Sequence, residues 1–188
     1  NLGLQQIDNG SIYVLGQEVS SNREYLLNVG SVIENPAFYE HLSANELLAM
    51  HLSYMKKKAN IAEVLRLVGL ENVNQKPIAK YSLGMKQRLG LARAIIHQPK
   101  LLILDEPLNG LDPIAITEMR ELMKKLTGNG MSILLSSHIV EEIKHTADRV
   151  GILSGGYIKQ EFSVAEKVSE YGEKFEDYVI GIMRGDLK

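Results

Sequence analysis

A run of four apolar residues at positions 101–104, Leu-Leu-Ile-Leu, restricts the possible folds of this chain more than any other segment. The run has the length of a strand and contains no alternating polar residues, which is typical of a strand buried on both faces of a parallel sheet. A helical pattern over 113–128, an apolar run at 133–135, a helical pattern over 138–147 and a short strand at 149–153 follow it in order. This alternation predicts right-handed βαβ crossovers and an α/β fold with a parallel sheet.

The segments before this run predict two other kinds of structure. An Asn-Gly turn at 9–10 and the apolar residues after it predict a short antiparallel strand pair, and 28–33 predicts another strand. Helical patterns follow between Pro36 and Pro99, and the first of them begins with a Ser-x-x-Glu capping box at 43–46. This part of the chain is therefore a predicted helical subdomain inserted into the α/β core.

The end of the chain predicts one more amphipathic helix. Its apolar positions are Phe175, Val179, Ile182 and Met183. We therefore expect an α/β core made of 1–35 and 99–160, a helical subdomain at 36–98 and a C-terminal helical tail at 161–188.

Composition excludes several classes of protein. The 188 residues carry 21 Lys and Arg against 23 Asp and Glu, so the net charge is −2, which argues against a nucleic-acid binder because such a protein normally has a basic face. The sequence has no cysteine, which excludes disulfides and zinc sites built on thiolates. No apolar run approaches the length of a membrane span, and the sequence does not start like a signal peptide, so we expect a soluble, unexported protein.

Two carboxylates follow the buried run directly, as Asp105 and Glu106. Ligands of open parallel sheets bind beyond the carboxyl ends of the strands, so both residues are expected at the edge of a site. Asp105 is suited to hold Mg²⁺, and Glu106 to act as a general base on a water that attacks a phosphate. The alternative is that both are helix-capping or solvated loop charges.

A second candidate site lies at the start of the helix that follows Tyr81. Ser82 and Gly84 at a helix N-terminus offer free backbone N–H groups, a positive dipole end, a hydroxyl donor and room for an anion. The simpler alternative is that Ser82 is only an N-cap.

Two more polar residues are candidates because of their position. His138 follows the apolar run at 133–135, whose strand is expected in the same sheet as the Asp105 strand, so that the imidazole can reach the same phosphate. A structural histidine is the alternative. Asp112 ends the turn at 109–112 and is, in the first instance, an N-cap.

In this order, the motifs resemble the nucleotide-binding domain of ATP-binding cassette (ABC) transporters over essentially the whole chain. Residues 81–88, Tyr-Ser-Leu-Gly-Met-Lys-Gln-Arg, resemble a variant of the family's signature motif. Residues 101–106 resemble Walker B with its catalytic glutamate, 109–112 resemble the D-loop, and His138 resembles the switch histidine. The resemblance implies a P-loop NTPase-like (RecA-like) parallel sheet core with an inserted α-helical subdomain and a small antiparallel β element.

The resemblance also implies roles, cofactors and partners. ATP and Mg²⁺ are the implied cofactors, with no other metal. The implied partners are an ABC transmembrane subunit and a second nucleotide-binding domain in a homo- or heterodimer, without nucleic acid, at the cytoplasmic face of the cell membrane. By this resemblance, Asp105 would bind Mg²⁺, Glu106 would polarise the attacking water and His138 would contact the γ-phosphate. Ser82, Leu83, Gly84 and Met85 would close over ATP that the other subunit holds. Asp112 would communicate across the dimer.

Glu34 departs from the family pattern, because the family carries a glutamine at this position. A carboxylate still approaches Mg²⁺ and water, but it adds a charge and loses an amide donor. Three features of the chain resemble those of the ABC ATPases of bacitracin and lantibiotic export and self-protection. They are the glutamate at position 34, the altered signature motif at 81–88 and the Phe-Glu-Asp-Tyr sequence at 175–178.

The sequence also lacks a phosphate-cradling motif of the Walker A type. None of its 16 glycines is followed by lysine, and the first six residues resemble the segment after the P-loop helix in the family. We therefore expect the first strand, the P-loop and most of its helix before Asn1, and weak ATP binding by the chain alone. Two alternatives stay open: a P-loop-less regulatory partner that supplies only its signature motif to an intact ATPase, and a non-transport ABC ATPase.

Overall fold

The computed structural model describes residues 7–19, 23–33, 36–73 and 75–186 of the chain. It consists of two compact units, Asn1–Ser136 and Ser137–Lys188. The predicted partition into core, helical subdomain and tail stays a prediction. None of the helices in the described part of the chain is long and apolar enough to cross a membrane.

The first unit begins with a small antiparallel hairpin. Strands β1 (Tyr13–Val14) and β2 (Gln17–Glu18) pair with each other, which confirms the predicted strand pair. The predicted turn at 9–10 is not the turn of this hairpin. Leu15 and Gly16 form it instead, with φ angles of 51° and 78°, because the tight turns that suit a hairpin need positive φ at their central residues.

A parallel sheet of three strands forms the centre of this unit among the described residues. Strands β3 (Val29–Val32), β4 (Leu101–Asp105) and β5 (Ser132–Ser136) lie in the order β3-β4-β5, and both neighbouring pairs are parallel. A short 3-10 helix, Glu24–Asn28, precedes β3. The predicted parallel sheet is therefore confirmed, and the carboxyl ends of β4 and β5 lie side by side.

The two faces of this sheet are covered unequally. Leu102 and Leu104 of β4 lie in the main core, and the opposite face of β4 packs against a smaller cluster around Tyr25. This smaller cluster does not extend to β5, so Leu134 is 61% exposed. The apolar run at 133–135 predicts a buried strand, and this prediction is wrong for β5. Strand β4 is covered on both faces, fully at Leu102 and Leu104 and partly at Leu101 and Ile103.

Four α-helices complete the first unit as far as it is described. Each begins at a residue whose side chain accepts a hydrogen bond from a backbone N–H of the first turn, so the starts are encoded locally. The helices are α1 (Ala44–Met55), α2 (Ile61–Leu67), α3 (Leu83–Ile95) and α4 (Pro113–Gly128), and the caps are Ser43, Asn60, Ser82 and Asp112.

Two details of these helices test the sequence-based expectations. The capping box of α1 is confirmed, because Glu46 accepts a hydrogen bond from the Ser43 backbone N–H at 2.8 Å. The apolar pattern that starts at Ser82 predicts a helix to about Gln98, but α3 ends earlier, at Ile95. Gln98 adopts a left-handed φ of 56° and precedes Pro99, and neither condition allows a helix to continue.

The second unit contains three α-helices and two strands among its described residues. They are α5 (Val140–Thr146), β6 (Arg149–Ser154), β7 (Tyr157–Ser163), α6 (Val164–Tyr171) and α7 (Phe175–Arg184). The Gly155-Gly156 turn, with φ angles of 59° and 81°, makes β7 the antiparallel partner of β6. In the described part of the chain, these two strands form a sheet of their own instead of continuing the parallel sheet.

Helix α7 confirms the predicted amphipathic tail helix. Phe175, Val179 and Ile182 are buried, and the Phe162 ring of β7 packs edge-on against Phe175 at 6.2 Å. Met183 is 47% exposed, so its predicted inward position is wrong. It lies one residue beyond the stripe that the buried side chains share, and each residue advances the helix by about 100°.

Candidate functional site

The predicted site begins at the end of β4. The register pairs Asp105 with Ser136 of β5, and the Ser136 hydroxyl donates a hydrogen bond of 2.6 Å to Asp105 Oδ1. Both residues are exposed, so a ligand at the carboxyl edge of the sheet can reach them. Parallel pairing therefore brings a carboxylate and a hydroxyl to the edge where the sequence predicts a site.

Glu106 follows Asp105 with a left-handed backbone. Its φ is 47°, an uncommon value for a residue other than glycine, and its N–H donates to Ser136 Oγ at 3.1 Å. This conformation ends β4 and turns the chain into the loop toward Asn109, whose N–H donates to the Glu106 carbonyl at 3.1 Å. Such backbone conformations cost free energy and concentrate at functional sites.

The oxygen atoms at this edge are of the kind that Mg²⁺ prefers. Asp105, Glu106 and Ser136 offer carboxylate and hydroxyl oxygens, which are hard ligands. Within the described ranges, no group of three or more acidic or histidine side chains is arranged to enclose a metal. The residues therefore fit a Mg²⁺ that is held by one or two protein oxygens together with water and substrate phosphates, as is usual for this ion.

The second predicted site lies at the N-terminus of α3. Ser82 accepts a hydrogen bond from the Met85 N–H at 3.3 Å, so its role as an N-cap is confirmed. Ser82 and Leu83 are exposed, and the N–H groups at the very start of a helix have no intrahelical acceptor. This end of α3 can therefore receive an anion.

Internal packing does not explain the glycine at position 84. Among the described residues, a Cβ placed on Gly84 would meet only Leu111 Cδ2, at an ordinary contact distance of 3.7 Å. Room is thus left over at this helix end within the described structure.

The cationic side chains at the start of α3 are engaged with carboxylates of the same unit. Lys86 lies 2.8 Å from Glu40, and this hydrogen bond and the lysine charge lower the pKa of the Glu40 carboxyl. Arg88 pairs with Glu118 of α4. Attraction for an anion at Ser82 therefore comes mainly from the backbone N–H groups and the helix dipole.

The structure brings the predicted signature and D-loop motifs together. A Cβ on Gly110 would lie 3.1 Å from Leu83 Cδ2, so these two residues are in close contact. At the end of the same loop, Asp112 Oδ1 accepts a hydrogen bond of 2.9 Å from the Ala115 N–H, which confirms its role as N-cap of α4. Its communication across a dimer stays a prediction.

The positions of two predicted site residues relative to Asp105 stay predictions. His138 is an exposed residue just before α5 in the second unit, where the Ile139 N–H donates to Ser137 Oγ at 3.1 Å. Its contact with a phosphate stays a prediction. Glu34 lies outside the described residues.

Sequence reasoning missed Ser136. The signal was present, because Ser136 follows the apolar run at 133–135 as directly as Asp105 follows the run at 101–104. Only the register shows that the two residues are direct neighbours across β4 and β5.

Comparisons with known proteins agree with this arrangement. A family model described as ABC transporter matches residues 2–109. A solved structure described as the ATP-binding subunit of an ABC transporter matches with a TM-score of 0.80 and 28% identity, over 95% of this chain and 80% of that one. The predicted fold class is therefore confirmed.

Curated relatives include transport proteins for peptide antibiotics. The chain is 46% identical to the bacitracin transport ATP-binding protein BcrA of Bacillus licheniformis, over 85% of this chain and 54% of that protein. It is 43% identical to the lantibiotic transport ATP-binding protein SrtF of Streptococcus pyogenes, over 89% of this chain and 74% of that protein.

An uncharacterized relative is similar to the same degree. The ABC transporter ATP-binding protein YcbN of Bacillus subtilis (strain 168) is 47% identical, over 84% of this chain and 53% of that protein. The chain thus spans about half the length of two of these three relatives. On the family match and on these identities, the chain belongs to the ABC transporter family and is homologous to its bacitracin and lantibiotic transport ATP-binding proteins.

Proposed function

We propose that this chain is part of the ATP-hydrolysing subunit of an ABC transporter that exports a peptide antibiotic or a similar amphiphile. One observation carries the proposal: Ser136 joins the Asp105 carboxylate and the Glu106 backbone at the carboxyl edge of a parallel sheet. This edge is where a nucleotide phosphate would meet a metal-binding carboxylate and a general base.

The residues at this edge would divide the chemistry among them. Asp105 would hold Mg²⁺, with Glu34 as a second carboxylate. Bound Mg²⁺ supplies charge stabilisation to the phosphate oxygens. Glu106 would accept a proton from the attacking water, and His138 would contact the γ-phosphate. Ser136 keeps the Asp105 carboxylate and the Glu106 backbone in a fixed relation, so that positioning contributes to the rate.

The N-terminus of α3 would act on a different nucleotide. In a head-to-tail dimer, Ser82, Leu83, Gly84 and Met85 would close over ATP that the other subunit holds. The exposure of Ser82 and Leu83 supports this proposal, and so does the room at Gly84. Asp112 would communicate across the same dimer, because its loop contacts Leu83 through Gly110.

The proposed partner is a transmembrane subunit that docks on the helical region near 34–48. The protein would then lie on the cytoplasmic face of the membrane. Export of a peptide antibiotic, for self-protection or resistance, is supported by the bacitracin and lantibiotic transport for which the BcrA and SrtF relatives are named. Glu34 supports the same assignment, because the resemblance of this sequence to the bacitracin and lantibiotic transport ATPases depends partly on a glutamate at this position.

Hydrolysis by the full-length protein tests the enzymatic part of this proposal. We expect Mg²⁺-dependent ATP hydrolysis, and a Glu106→Gln variant that still binds ATP but turns over at least about a hundredfold more slowly, as is usual when a general base is lost. Glu121→Gln, an exposed carboxylate on α4, is the matched control and should keep the wild-type rate. Wild-type turnover in Glu106→Gln would overturn the assignment of Glu106.

Coexpression with the membrane subunit tests the transport part. Cells that produce both proteins should survive higher concentrations of bacitracin or of a lantibiotic than cells that produce the Glu106→Gln variant with the same membrane subunit. Equal survival for both compounds would contradict export of this class of substrate.

The exposed start of α3 would also serve an alternative function, that of a regulatory partner without its own P-loop. Such a protein would not hydrolyse ATP alone but would stimulate an intact ATPase, and Ser82→Ala would remove the stimulation. Hydrolysis by the purified full-length protein itself would exclude this alternative.

A further inference from the structure

Helices α3 and α4 meet where they begin. Leu83, at the start of α3, lies against Gly110 in the loop before α4, with its Cδ2 3.1 Å from the position of a Cβ on Gly110. In the same contact, Leu111 Cδ2 lies 3.7 Å from the position of a Cβ on Gly84. The largest packing contacts of the two helices are with different elements, since α3 packs on α1, α2 and β3 and α4 packs on β5. The contact at their starts therefore joins two helices that are otherwise supported separately.

A second contact joins the same helices more than one turn further along. Arg88 of α3 and Glu118 of α4 form an ion pair. Arg88 lies six positions after the cap Ser82, and Glu118 lies six positions after the cap Asp112. Because each residue of a helix advances about 1.5 Å, the pair lies about 9 Å from both helix starts. The first contact fixes where the helices meet, and the second restricts the angle between them.

Arg88 is also held by a third element. A Cβ on Gly69 would lie 2.8 Å from Arg88 Nη1, so the guanidinium lies against the chain just beyond the end of α2. The carboxyl end of a helix attracts a cation, which favours an arginine at this place. The guanidinium therefore contacts the end of α2 while it pairs with Glu118 of α4.

The exposure of the pair limits what it can contribute to folding. The Arg88 side chain is 23% exposed and the Glu118 side chain is 50% exposed. Water and salt screen such a pair, so it changes an equilibrium constant by a factor of about five at most, which corresponds to about 1 kcal/mol. This amount can adjust the angle of a helix, but it is small for the support of a whole fold.

We propose that Glu118 is a positioning residue, which holds Arg88 and so sets the angle at which α3 presents residues 82–85 to the nucleotide of the other subunit. The inference rests on the proposed function, since this angle matters to ATP hydrolysis only if the chain acts in such a dimer. The effect of Glu118 on the start of α3 is a property of the first unit and can be measured without nucleotide.

The first measurement is amide hydrogen exchange in the full-length protein without nucleotide. Glu118→Gln removes the charge and keeps the size of the side chain. We expect about threefold to fivefold faster exchange at the Lys86 N–H, which donates to the Ser82 carbonyl at 2.9 Å at the start of α3. Glu121→Gln is the matched control, because it removes an exposed carboxylate from the next turn of α4 and should leave exchange at Lys86 unchanged.

The second measurement is steady-state ATP hydrolysis. We expect Glu118→Gln to lower kcat about fivefold with KM for ATP within about twofold, because α3 acts on a nucleotide that the other subunit has already bound. Glu121→Gln should keep the wild-type kcat. A residue that only stabilised the fold would leave the kcat of the folded protein unchanged.

Reversal of the two charges tests whether the pairing itself matters. Glu118→Arg places two cations side by side and should lower kcat at least about tenfold, a factor that corresponds to about 1.4 kcal/mol. Arg88→Glu in the same protein restores an opposite pair and should raise kcat at least about threefold above that of Glu118→Arg alone. Recovery should be incomplete, because a glutamate at position 88 would lie against the carboxyl end of α2. The urea midpoint of each variant checks that it is folded.

The outcomes distinguish this inference from the proposed function. Faster exchange at Lys86 and a lower kcat in Glu118→Gln, with recovery in the reversed pair, support the inference. Wild-type exchange or a wild-type kcat in Glu118→Gln overturns it, and so does a reversed pair that is no faster than Glu118→Arg alone. If the wild-type protein hydrolyses no ATP, the proposed function fails together with the role of Glu118 in hydrolysis, while the exchange data still show whether Glu118 orients the start of α3.

Discussion

Ser136 and Asp105 form a 2.6 Å hydrogen bond between the ends of two neighbouring parallel strands, with the serine hydroxyl as donor. The same oxygen accepts a hydrogen bond from the Glu106 N–H at 3.1 Å. One hydroxyl therefore uses its donor and one of its acceptor positions to hold two consecutive acidic residues in register. Hydrogen bonds to a carboxylate are stronger than those between neutral groups, so this contact restricts the orientation of Asp105.

Removal of the Ser136 hydroxyl should affect turnover more than folding. We expect Ser136→Ala to lower kcat for ATP by about 10- to 100-fold, the range found when a hydrogen-bond partner of a site ligand is lost. Unfolding should become easier by only about 1 kcal/mol. Steady-state kinetics and urea unfolding of the full-length protein measure the two effects.

Two further variants control this experiment. Ser136→Thr keeps the hydroxyl and should retain most of the activity. Ser132→Ala removes an exposed hydroxyl at the other end of β5 and should leave kcat unchanged. A wild-type kcat in Ser136→Ala would show that Asp105 and Glu106 are oriented without this serine.

Ser82 allows the capping role to be separated from the nucleotide contact. Aspartate is as good an N-cap as serine and favours the positive end of the helix, so Ser82→Asp should keep the stability of the protein, whereas Ser82→Ala should cost about 1 kcal/mol. The added negative charge should repel a phosphate and lower ATP hydrolysis at least about tenfold, a factor that needs only about 1.4 kcal/mol. Full activity of Ser82→Asp would mean that Ser82 is only a cap.

Gly30 should tolerate no side chain. In Gly30→Ala, the Cβ would lie 2.2 Å from a backbone carbonyl oxygen of Ala94, which cannot rotate away as a flexible side chain would. We expect a loss of about 3 kcal/mol or more in the free energy of unfolding, at the upper end of overpacking effects. Urea denaturation, with linear extrapolation to water, measures this loss.

Gly128 provides the matched control for Gly30. It is the last residue of α4, and a Cβ there would meet no atom of the described residues within 4 Å. Gly128→Ala should therefore be neutral or stabilise the protein by up to about 1 kcal/mol, because alanine is the better helix former. Equal stability of Gly30→Ala and wild type would contradict the close approach of α3 and β3.

The His51–His97 pair should make stability depend on pH. His51 Nε2 lies 3.5 Å from His97 Nδ1. Burial, followed by the charges of His97 and Arg93, lowers the pKa of His51 from 6.5 to about 4. Burial also lowers the pKa of His97, although its hydrogen bond to Val29 opposes this effect.

Both histidines are therefore neutral in the folded protein at neutral pH, whereas in the unfolded chain they take up protons below their ordinary pKa of 6.5. The unfolded state binds more protons, so stability should be full above pH 6.5 and fall as the pH decreases toward about 4. His51 alone should account for about 2 kcal/mol, since each unit of pKa shift corresponds to about 1.4 kcal/mol and partial exposure reduces the effect.

Urea unfolding at a series of pH values measures this dependence. His51→Gln should flatten the upper part of the slope. Three glutamates contribute to the pH dependence of stability at lower pH than His51 does. The pKa values of their carboxyls are lowered from 4.5, so the stabilisation that they provide is lost only as the pH falls below 4.5; they are Glu40, Glu46 and Glu170. A slope in His51→Gln as steep as in wild type would exclude His51 as the source.

Local signals account for most of what could be predicted about the fold. The capping box at Ser43, the caps at Ser82 and Asp112 and the apolar run of β4 each act within a few residues, and the structure confirms them. The hairpin turn at Leu15 was missed, because the Asn-Gly pair at 9–10 is the stronger local turn signal. Turn choice depends on which strands pair, and pairing is not a local property.

The residues of the candidate site also differ in whether the sequence around them reveals their role. Asp105, Glu106 and Ser82 are recognisable from the residues around them, because each follows or begins a strongly patterned element. Ser136 also follows an apolar run directly, but no local signal shows which residue it contacts. The role of Ser136 depends on a contact with Asp105, a residue 31 positions away in the chain.

The sequence by itself determined the alternation of strands and helices, the starts of α1 to α4 and the carboxylates at the end of β4, since propensity, capping and apolar periodicity act over a few residues. Only the tertiary structure decided which side chains meet. The register of β4 and β5 placed Ser136 on Asp105, and the close approach of Gly30 to Ala94 placed one face of α3 along β3. Both contacts depend on the packing of elements far apart in the chain, and many residues specify such packing together.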